Sequence, residues 1–378
     1  MSELGGMKRV LIFYVSRNSG HYNAAKSIEK AILGFGKGIE IRTVNALDYA
    51  NPILGKILAK AYAEILKKRP QFWGNIYDNP VVLEKTRKTR ERFAKRGFPK
   101  IQKLVGSFKP GAVVCTQAYP SGLMAYYKRR SGDKIPLIAV LTDHAPHSYW
   151  IFPETDIYVV PSDDTAAMMV KKGVPREKIR VLGIPVDNKF QNSHDRSLLR
   201  DRFALYPGKR TVLIMGGNQG LGALEEIVDA FQGRGGLNYQ LMVVAGRNKR
   251  LYRRIKNRYM KGNGGNIKLY PYSENIDEMM EASDAIITKA GGITTAEALA
   301  KGVPIFIVDP IPGQERMNTD FLVKEGAAVE IKNKEALIEA VNSLFDTKGA
   351  LEKMAANSKR ISKADSSTRV AELVIRGC

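Results

Sequence analysis

The sequence predicts an α/β protein with parallel sheets in two successive halves, and three observations predict it. Short runs rich in Val, Ile and Leu alternate with helix-like segments, the pattern of βαβ units whose sheet is covered on both faces. The rhythm runs through the first half, breaks off, and restarts in the second. At 378 residues the chain is also longer than one hydrophobic core usually serves.

In the first half, residues 10–15, 39–44, 112–115, 137–141, 157–160 and 179–182 read as strands. In the second, residues 211–215, 239–244, 267–269, 285–288 and 304–307 do, each followed by a plausible helix. Between them, residues 183–195 contain Ile184-Pro185-Val186-Asp187-Asn188 and a polar stretch without period, which reads as the linker. The expected organisation is therefore 1–188, 189–350, and a C-terminal segment 351–378. That segment has apolar residues at helical spacing and is expected to form helices that pack back on the first domain.

Residues 51–109 interrupt the βαβ rhythm. They hold 15 Lys/Arg against 4 Asp/Glu, about half of the chain's net charge of +22. Ile53, Leu54, Ile57, Leu58, Ala61, Tyr62, Ile65 and Leu66 recur on one helix face, with Lys56, Lys60, Lys67, Lys68 and Arg69 between them; Phe72, Trp73 and Tyr77 follow. Such a helix suits an interface lined by anionic lipid, where each nearby base adds on the order of 1 kcal/mol. It equally suits a surface helix packed on its own sheet.

Composition narrows the function classes. Hydrophobic residues are 44% and charged residues 26%, which excludes wholesale disorder and a membrane-embedded chain. Two cysteines, Cys115 and Cys378, exclude a disulfide framework and a four-ligand zinc site, and fit a reducing compartment. The apolar runs fall far short of the roughly 20 residues that span a bilayer, and residues 10–15 are too short for a signal-peptide core. A membrane, if one is involved, is met from its surface.

Three loops carry the candidate chemistry. The first strand ends in Ser16-Arg17-Asn18-Ser19-Gly20-His21 before a helix pattern, and the carboxyl ends of strands are where open α/β sheets bind ligands. His21 suits a general base acting on an alcohol, or a helix-capping role. Gly216-Gly217-Asn218-Gln219-Gly220-Leu221-Gly222 follows the first strand of the second half; its backbone N–H groups and the next helix suit a diphosphate. It lacks the ending of a P-loop, so nucleoside triphosphate hydrolysis is not indicated. In the third loop, Gly291-Gly292 opens a helix carrying Glu297, placed to accept hydrogen bonds from ribose hydroxyls, and Gln314 and Glu315 offer groups for sugar hydroxyls. Together these read as a nucleotide-sugar pocket.

The run Thr288-Lys289-Ala290-Gly291-Gly292-Ile293-Thr294-Thr295-Ala296-Glu297-Ala298, with Pro312-Gly313-Gln314-Glu315 beyond it, resembles the signature of the bacterial processive diacylglycerol glucosyltransferases and plant monogalactosyldiacylglycerol synthases, in glycosyltransferase family 28. The resemblance spans nearly the whole chain. Gly20-His21, Thr142-Asp143-His144 with His147 and Trp150, Pro161-Ser162-Asp163, Gly183-Ile184-Pro185-Val186, Gly216-Gly217-Asn218-Gln219-Gly220 and Gly246-Arg247-Asn248 are similar to that family's motifs, in its order. The family's first loop carries more glycine than Arg17-Asn18-Ser19-Gly20 does.

The resemblance implies a GT-B fold of two Rossmann-like domains facing across a cleft, acceptor on the first and UDP-sugar on the second. It implies an inverting hexosyl transfer, glucose favoured over galactose, from a UDP-hexose to diacylglycerol or glycosyldiacylglycerol, with repeated additions possible. No cofactor and no obligatory metal are expected, and no Asp-X-Asp triplet is placed to hold a cation. Glycine-loop amides, helix dipoles and Arg247 would neutralise the diphosphate. On this reading His21 is the base, with Asp143 orienting it or competing with it. Gly217, Asn218, Gln219, Arg247, Lys289, Gly291, Gly292, Glu297, Gln314 and Glu315 bind the donor, while Gly20, His147 and Trp150 line the acceptor side. The expected location is the cytoplasmic face of the cell membrane, held peripherally by anionic phospholipid, with no nucleic acid as partner. Three alternatives stay open: transfer to another lipid, a UDP-sugar epimerase of the same fold, and a basic nucleic-acid-binding protein.

Overall fold

The computed structural model describes residues 8–36, 38–52, 78–220, 222–233, 238–260, 265–333 and 336–377. The basic amphipathic helix expected over 53–69, and Phe72, Trp73 and Tyr77, lie outside the described residues. The chain divides into two units: Met1–Asn188 with Ile311–Gln314 and Asp365–Cys378, and Lys189–Pro310 with Glu315–Ala364.

In the first unit, β1 (Lys8–Tyr14), β2 (Ile39–Asn45), β3 (Ala112–Cys115), β4 (Leu137–Val140), β5 (Ile157–Val160) and β6 (Ile179–Val181) form a parallel sheet in the order β2-β1-β3-β4-β5-β6. Val10 of β1 lies level with Ile41 on one side and Ala112 on the other. The apolar run of β1 is continuous because both sheet faces are covered. Val10, Ile12 and Tyr14 join one core cluster with Ile28 and Ile32 of α1 (Gly20–Gly34), and Leu11 and Phe13 join another with Ile101 and Leu104 of the helix over 80–108. Short α2 (Ala46–Ala50) precedes that long helix, α3 (Pro80–Phe108). Asn79 caps α3 by accepting from the N–H groups of Val81 and Val82, and Pro80 sits at its first position, where a missing N–H is harmless. Then come α4 (Ala118–Ser131) and α5 (Asp163–Lys171).

The second unit carries α6 (Arg196–Arg202) and another parallel sheet: β7 (Arg210–Met215), β8 (Tyr239–Val244), β9 (Ile267–Tyr270), β10 (Ala285–Thr288), β11 (Ile305–Val308) and β12 (Ala328–Ile331), in the order β12-β11-β10-β7-β8-β9. Its helices are α7 (Leu224–Gly233), α8 (Lys249–Tyr259), α9 (Ile276–Ala282), α10 (Gly292–Lys301), α11 (Gln314–Lys324), α12 (Leu337–Asp346) and α13 (Ala350–Ile361). The sequence reading missed β12. Glu330 splits its short apolar run, and the strand is an edge that pairs only with β11, where Glu330 takes a bidentate ion pair from Arg316.

The C-terminal segment divides between the units. Helix α13 packs on α10 of the second unit, whereas α14 (Ser366–Gly377) packs on α1, placing Val370, Ala371 and Val374 in the first unit's core. Ser367 fixes this return by donating to the carbonyl of Val186 at 2.7 Å.

In each sheet the strand order reverses at one point, between β1 and β3 and between β7 and β10. The loops after these strands diverge to opposite faces, and the gap between them is where such sheets bind ligands.

Candidate active site

His21 lies in the first turn of α1, directly after β1 and at the first unit's switch point. Ser19 caps that helix, accepting from the N–H of Tyr22 while its hydroxyl reaches the carbonyls of Val15 and Ser16. Two threonines from neighbouring loops then locate the histidine. Thr116, just past β3, donates to the His21 carbonyl at 2.8 Å, and Thr142, past β4, lies 2.9 Å from His21 Nδ1 through its hydroxyl. His21 is half-buried as a residue, but its ring is packed into this cluster. That desolvation lowers its pKa from 6.5 to about 4, with contact to the Thr116 backbone opposing the shift. The imidazole is therefore neutral at physiological pH and able to accept a proton.

The Thr142-Asp143-His144 triplet separates into different tasks. Thr142 meets His21, while buried His144 lies 3.2 Å from the Ser162 hydroxyl that caps α5, so it pins the loop to the fold. Burial lowers the pKa of His144 to about 3, with Asp164 opposing. Asp143 is half-buried between them. His147 is close enough for its charge state to feel His21; burial lowers its pKa to about 4, Asp78 opposing and His21 adding to the shift. Trp150 is 4% exposed and packs in the core with Leu141, Tyr158 and Val160. It supports the loop from beneath and is no open acceptor wall.

In the second unit the candidate site is made mostly of backbone. Gly217 and Gly220 have φ of +67° and +55°, and a Cβ on Gly220 would lie 2.0 Å from the Ala245 carbonyl oxygen. A Cβ on Gly246 would meet the Asn218 and Gly217 carbonyls at 2.7 and 2.9 Å. The loops after β7 and β8 thus touch backbone to backbone, joined by the Arg247 N–H donating to the Asn218 carbonyl at 2.9 Å. Arg247 stacks its guanidinium over the exposed Tyr272 ring at 4.4 Å. Gln219, beside them, is exposed.

Across the switch point, Gly291 is the N-cap of α10 and has no side chain to cap it. Its φ of −70° is open to any residue, and a Cβ there would meet nothing within 4 Å. Neither backbone nor neighbours account for glycine at a position where Ser, Thr or Asp would cap the helix. Gly292 is buried, and Glu297 sits half-buried farther along α10. Thr294, on the first turn, is the group nearest Gly217 across the gap.

Lys289 and Glu315, assigned from the sequence to separate donor contacts, meet each other. Their ion pair is 2.7 Å long with side chains 12% and 10% exposed. The Lys289 stem covers Gly222, and fully buried Asn318 donates to the Ala290 carbonyl at 2.9 Å. Glu315 and Asn318, one turn apart on α11, thereby clamp the segment leading into Gly291-Gly292. Gln314 opens α11 one residue earlier. Sequence reasoning gave no site role to Thr116, Thr142, Thr294, Tyr272 or Asn318; Thr142 and Thr294 lay within quoted motifs, but single threonines carry no pattern of their own.

Residues 21–186 match the family model for monogalactosyldiacylglycerol (MGDG) synthase, and residues 211–370 match that for the glycosyltransferase family 28 C-terminal domain. The chain is 30% identical over 374 residues to a processive diacylglycerol beta-glucosyltransferase of Bacillus subtilis (strain 168), covering 98% of this chain and 95% of that protein. The chain belongs to the processive diacylglycerol beta-glucosyltransferase family. Among solved structures, MurG of Acinetobacter baumannii superposes with a TM-score of 0.63 at 15% identity, over 98% of this chain and 99% of that one. UDP-GlcNAc 2-epimerase from Neisseria meningitidis, bound to UDP-GlcNAc, gives 0.61 at 15% identity, over 97% and 100%. These likenesses establish a GT-B fold. They do not choose between transferase and epimerase; the near-full-length match to a diacylglycerol glucosyltransferase does.

Proposed function

We propose that the chain transfers glucose, with inversion, from UDP-glucose to the 3-hydroxyl of diacylglycerol, and adds further glucose to its own product. The observation that carries this reading is the 30% identity over 98% of the chain to a protein named for that activity. The geometry supports it from both ends.

On the acceptor side, the hydroxyl oxygen forms a bond to the anomeric carbon while the bond to the UDP oxygen breaks and UDP leaves with its electron pair. The hydroxyl proton passes to His21. This requires the tautomer in which Nδ1–H donates to the Thr142 hydroxyl, leaving Nε2 free to accept. The Thr142 hydroxyl can accept from Nδ1–H in that tautomer, and in this reading Asp143, the next residue, stabilises the imidazolium that forms.

On the donor side, the diphosphate sits between residues 216–220 and the N-terminus of α10. The space left by Gly291 and the uncapped N–H groups behind it favour the negative charge that grows on UDP as it departs. Asn218, Gln219 and Arg247 flank that charge, Glu297 holds the ribose, and Gln314 and Glu315 the hexose. In this reading no metal is required, so activity persists in excess chelator. Among the described residues no helix is long and apolar enough to cross a membrane. The acceptor is reached from the cytoplasmic surface of an anionic membrane.

The test is UDP release, with lipid products resolved by chromatography, from protein given UDP-glucose or UDP-galactose and diacylglycerol. A new glycolipid that forms only with lipid present is the expected result. UDP-GlcNAc conversion without lipid would instead establish an epimerase.

A further inference from the structure

Two neighbouring strands send their helices to opposite faces of the first sheet. Helix α1, after β1, packs with Val10 and Ile12, whereas α4, after β3, packs with Leu11 and Phe13. His21 lies in the first turn of α1, and Gln117 caps α4 across the same crevice. Thr116 joins them: its N–H donates to the Phe13 carbonyl at 3.0 Å, and its hydroxyl donates to the His21 carbonyl at 2.8 Å. From residue 112 to 118 every position is buried except Gln117. The buried run therefore ends on one polar side chain that reaches the surface beside the base.

The orientation of that side chain is fixed. Its Oε1 accepts from the Tyr119 N–H at 2.6 Å, and only the oxygen of an amide can accept, so the NH2 end is the part left to meet a ligand. Among the described residues that NH2 group has no hydrogen-bond partner. Capping alone does not account for glutamine, since Ser, Thr, Asp or Asn would satisfy the same N–H with a shorter side chain. The turn is also held without it: the Ser121 hydroxyl donates to the Gln117 carbonyl at 3.2 Å, and Asn51 donates to the Tyr119 hydroxyl at 2.9 Å.

The chemistry of the acceptor says what these N–H groups meet. The attacking hydroxyl gives its proton to His21 and needs its lone pair for the anomeric carbon, so a further donor on that oxygen would slow the reaction. The other polar groups of a diacylglycerol are its esters, whose carbonyl oxygens only accept, and a group with only donors to offer matches them. We propose that the Gln117 amide donates to an ester carbonyl of the acceptor in the first transfer, holding the free hydroxyl beside His21 and selecting acyl-linked over ether-linked glycerolipids. The proposal rests on the reading that the acceptor is diacylglycerol, and adds to it a specificity-determining residue.

The test is glycolipid formation by the full chain from UDP-glucose in detergent micelles, with dioleoylglycerol or its di-ether analogue dioleylglycerol as acceptor. Wild type is expected to favour the ester by about tenfold in kcat/KM, the worth of one neutral hydrogen bond. Q117E keeps an oxygen for the Tyr119 N–H but has no donor, and Q117M removes the donors without adding charge. Both are expected to lose about tenfold with dioleoylglycerol, mainly through the acceptor KM, and to bring the two acceptors within about twofold of each other. UDP affinity by calorimetry should not change, and the melting temperature of Q117E should match that of wild type. A purely structural cap would lower both acceptors alike, so an ester preference that survives in the two variants, or is missing from wild type, would overturn the subsite alone. A wild type that makes glycolipid from neither lipid would overturn the proposed reaction and the subsite with it.

Discussion

The two candidate half-sites are built from different materials. Around His21 the work is done by side chains that arrive from three separate loops, after β1, β3 and β4. Around Gly217 and Gly291 it is done by backbone, and the side chains nearby, Lys289, Glu315 and Asn318, brace that backbone. A proton acceptor needs one atom at one angle, and a neighbour's hydroxyl can hold the ring in that orientation. A diphosphate spreads its charge over many oxygens, and several N–H groups serve it better than any single cation.

That difference decides what could be read in advance. Glycine leaves a trace in sequence because its spacing is tied to tight turns, so the loops after β7 and β10 read as parts of a nucleotide-sugar pocket from sequence alone. The strands were visible too, wherever both faces are buried. Edge strand β12 was not, because Glu330 interrupts it. Thr116 and Thr142 were invisible as partners of His21, since 95 and 121 residues separate them from it and only the sheet order brings them together. The Lys289–Glu315 ion pair was illegible for the opposite reason: both residues looked like ligand contacts, and only the structure shows that they also pair with each other.

The comparison is broken most severely at His21. Replacement by Ala should lower kcat by about 10²–10⁴ with little change in the affinity for UDP, measured by calorimetry. A loss of UDP binding instead would mean that the histidine belongs to the donor half. Next in size is Gly220→Ala. Its Cβ would enter the Ala245 carbonyl at a φ of +55°, and strain plus overpacking should cost about 2–5 kcal/mol. Melting of the protein would register it as a drop of several degrees.

Gly291→Ala sharpens the contrast between glycines. Its backbone is ordinary and its Cβ position empty, so the melting temperature should stay within about 1 °C, or even rise slightly from the lost freedom of the unfolded chain. UDP affinity should nevertheless fall by about tenfold or more, the cost of displacing a charge-assisted contact. A variant as tight as the parent would show that the space above Gly291 is not where the diphosphate goes. Thr142→Val should have a smaller effect, about three- to tenfold in kcat, for one lost hydrogen bond that orients the ring. Thr142→Ser should restore most of it.

The smallest expected effect is a flat region. An ordinary histidine base would make kcat/KM fall as the pH drops through 6.5. With the His21 pKa lowered to about 4, the base is already neutral across pH 5–8, and kcat/KM should hold level there before falling through about 4. The sign follows from burial, which disfavours the protonated ring, so the active neutral form extends to lower pH. Binding the donor reverses part of this. The diphosphate is an anion, and any approach to His21 stabilises the imidazolium and raises its pKa. Because kcat reports the enzyme–substrate complex and kcat/KM the free enzyme, the acid limb of kcat should lie at higher pH than that of kcat/KM. Coincident limbs would mean that the donor's charge never reaches the base, and the gap between them measures how closely the two halves of the chemistry are joined.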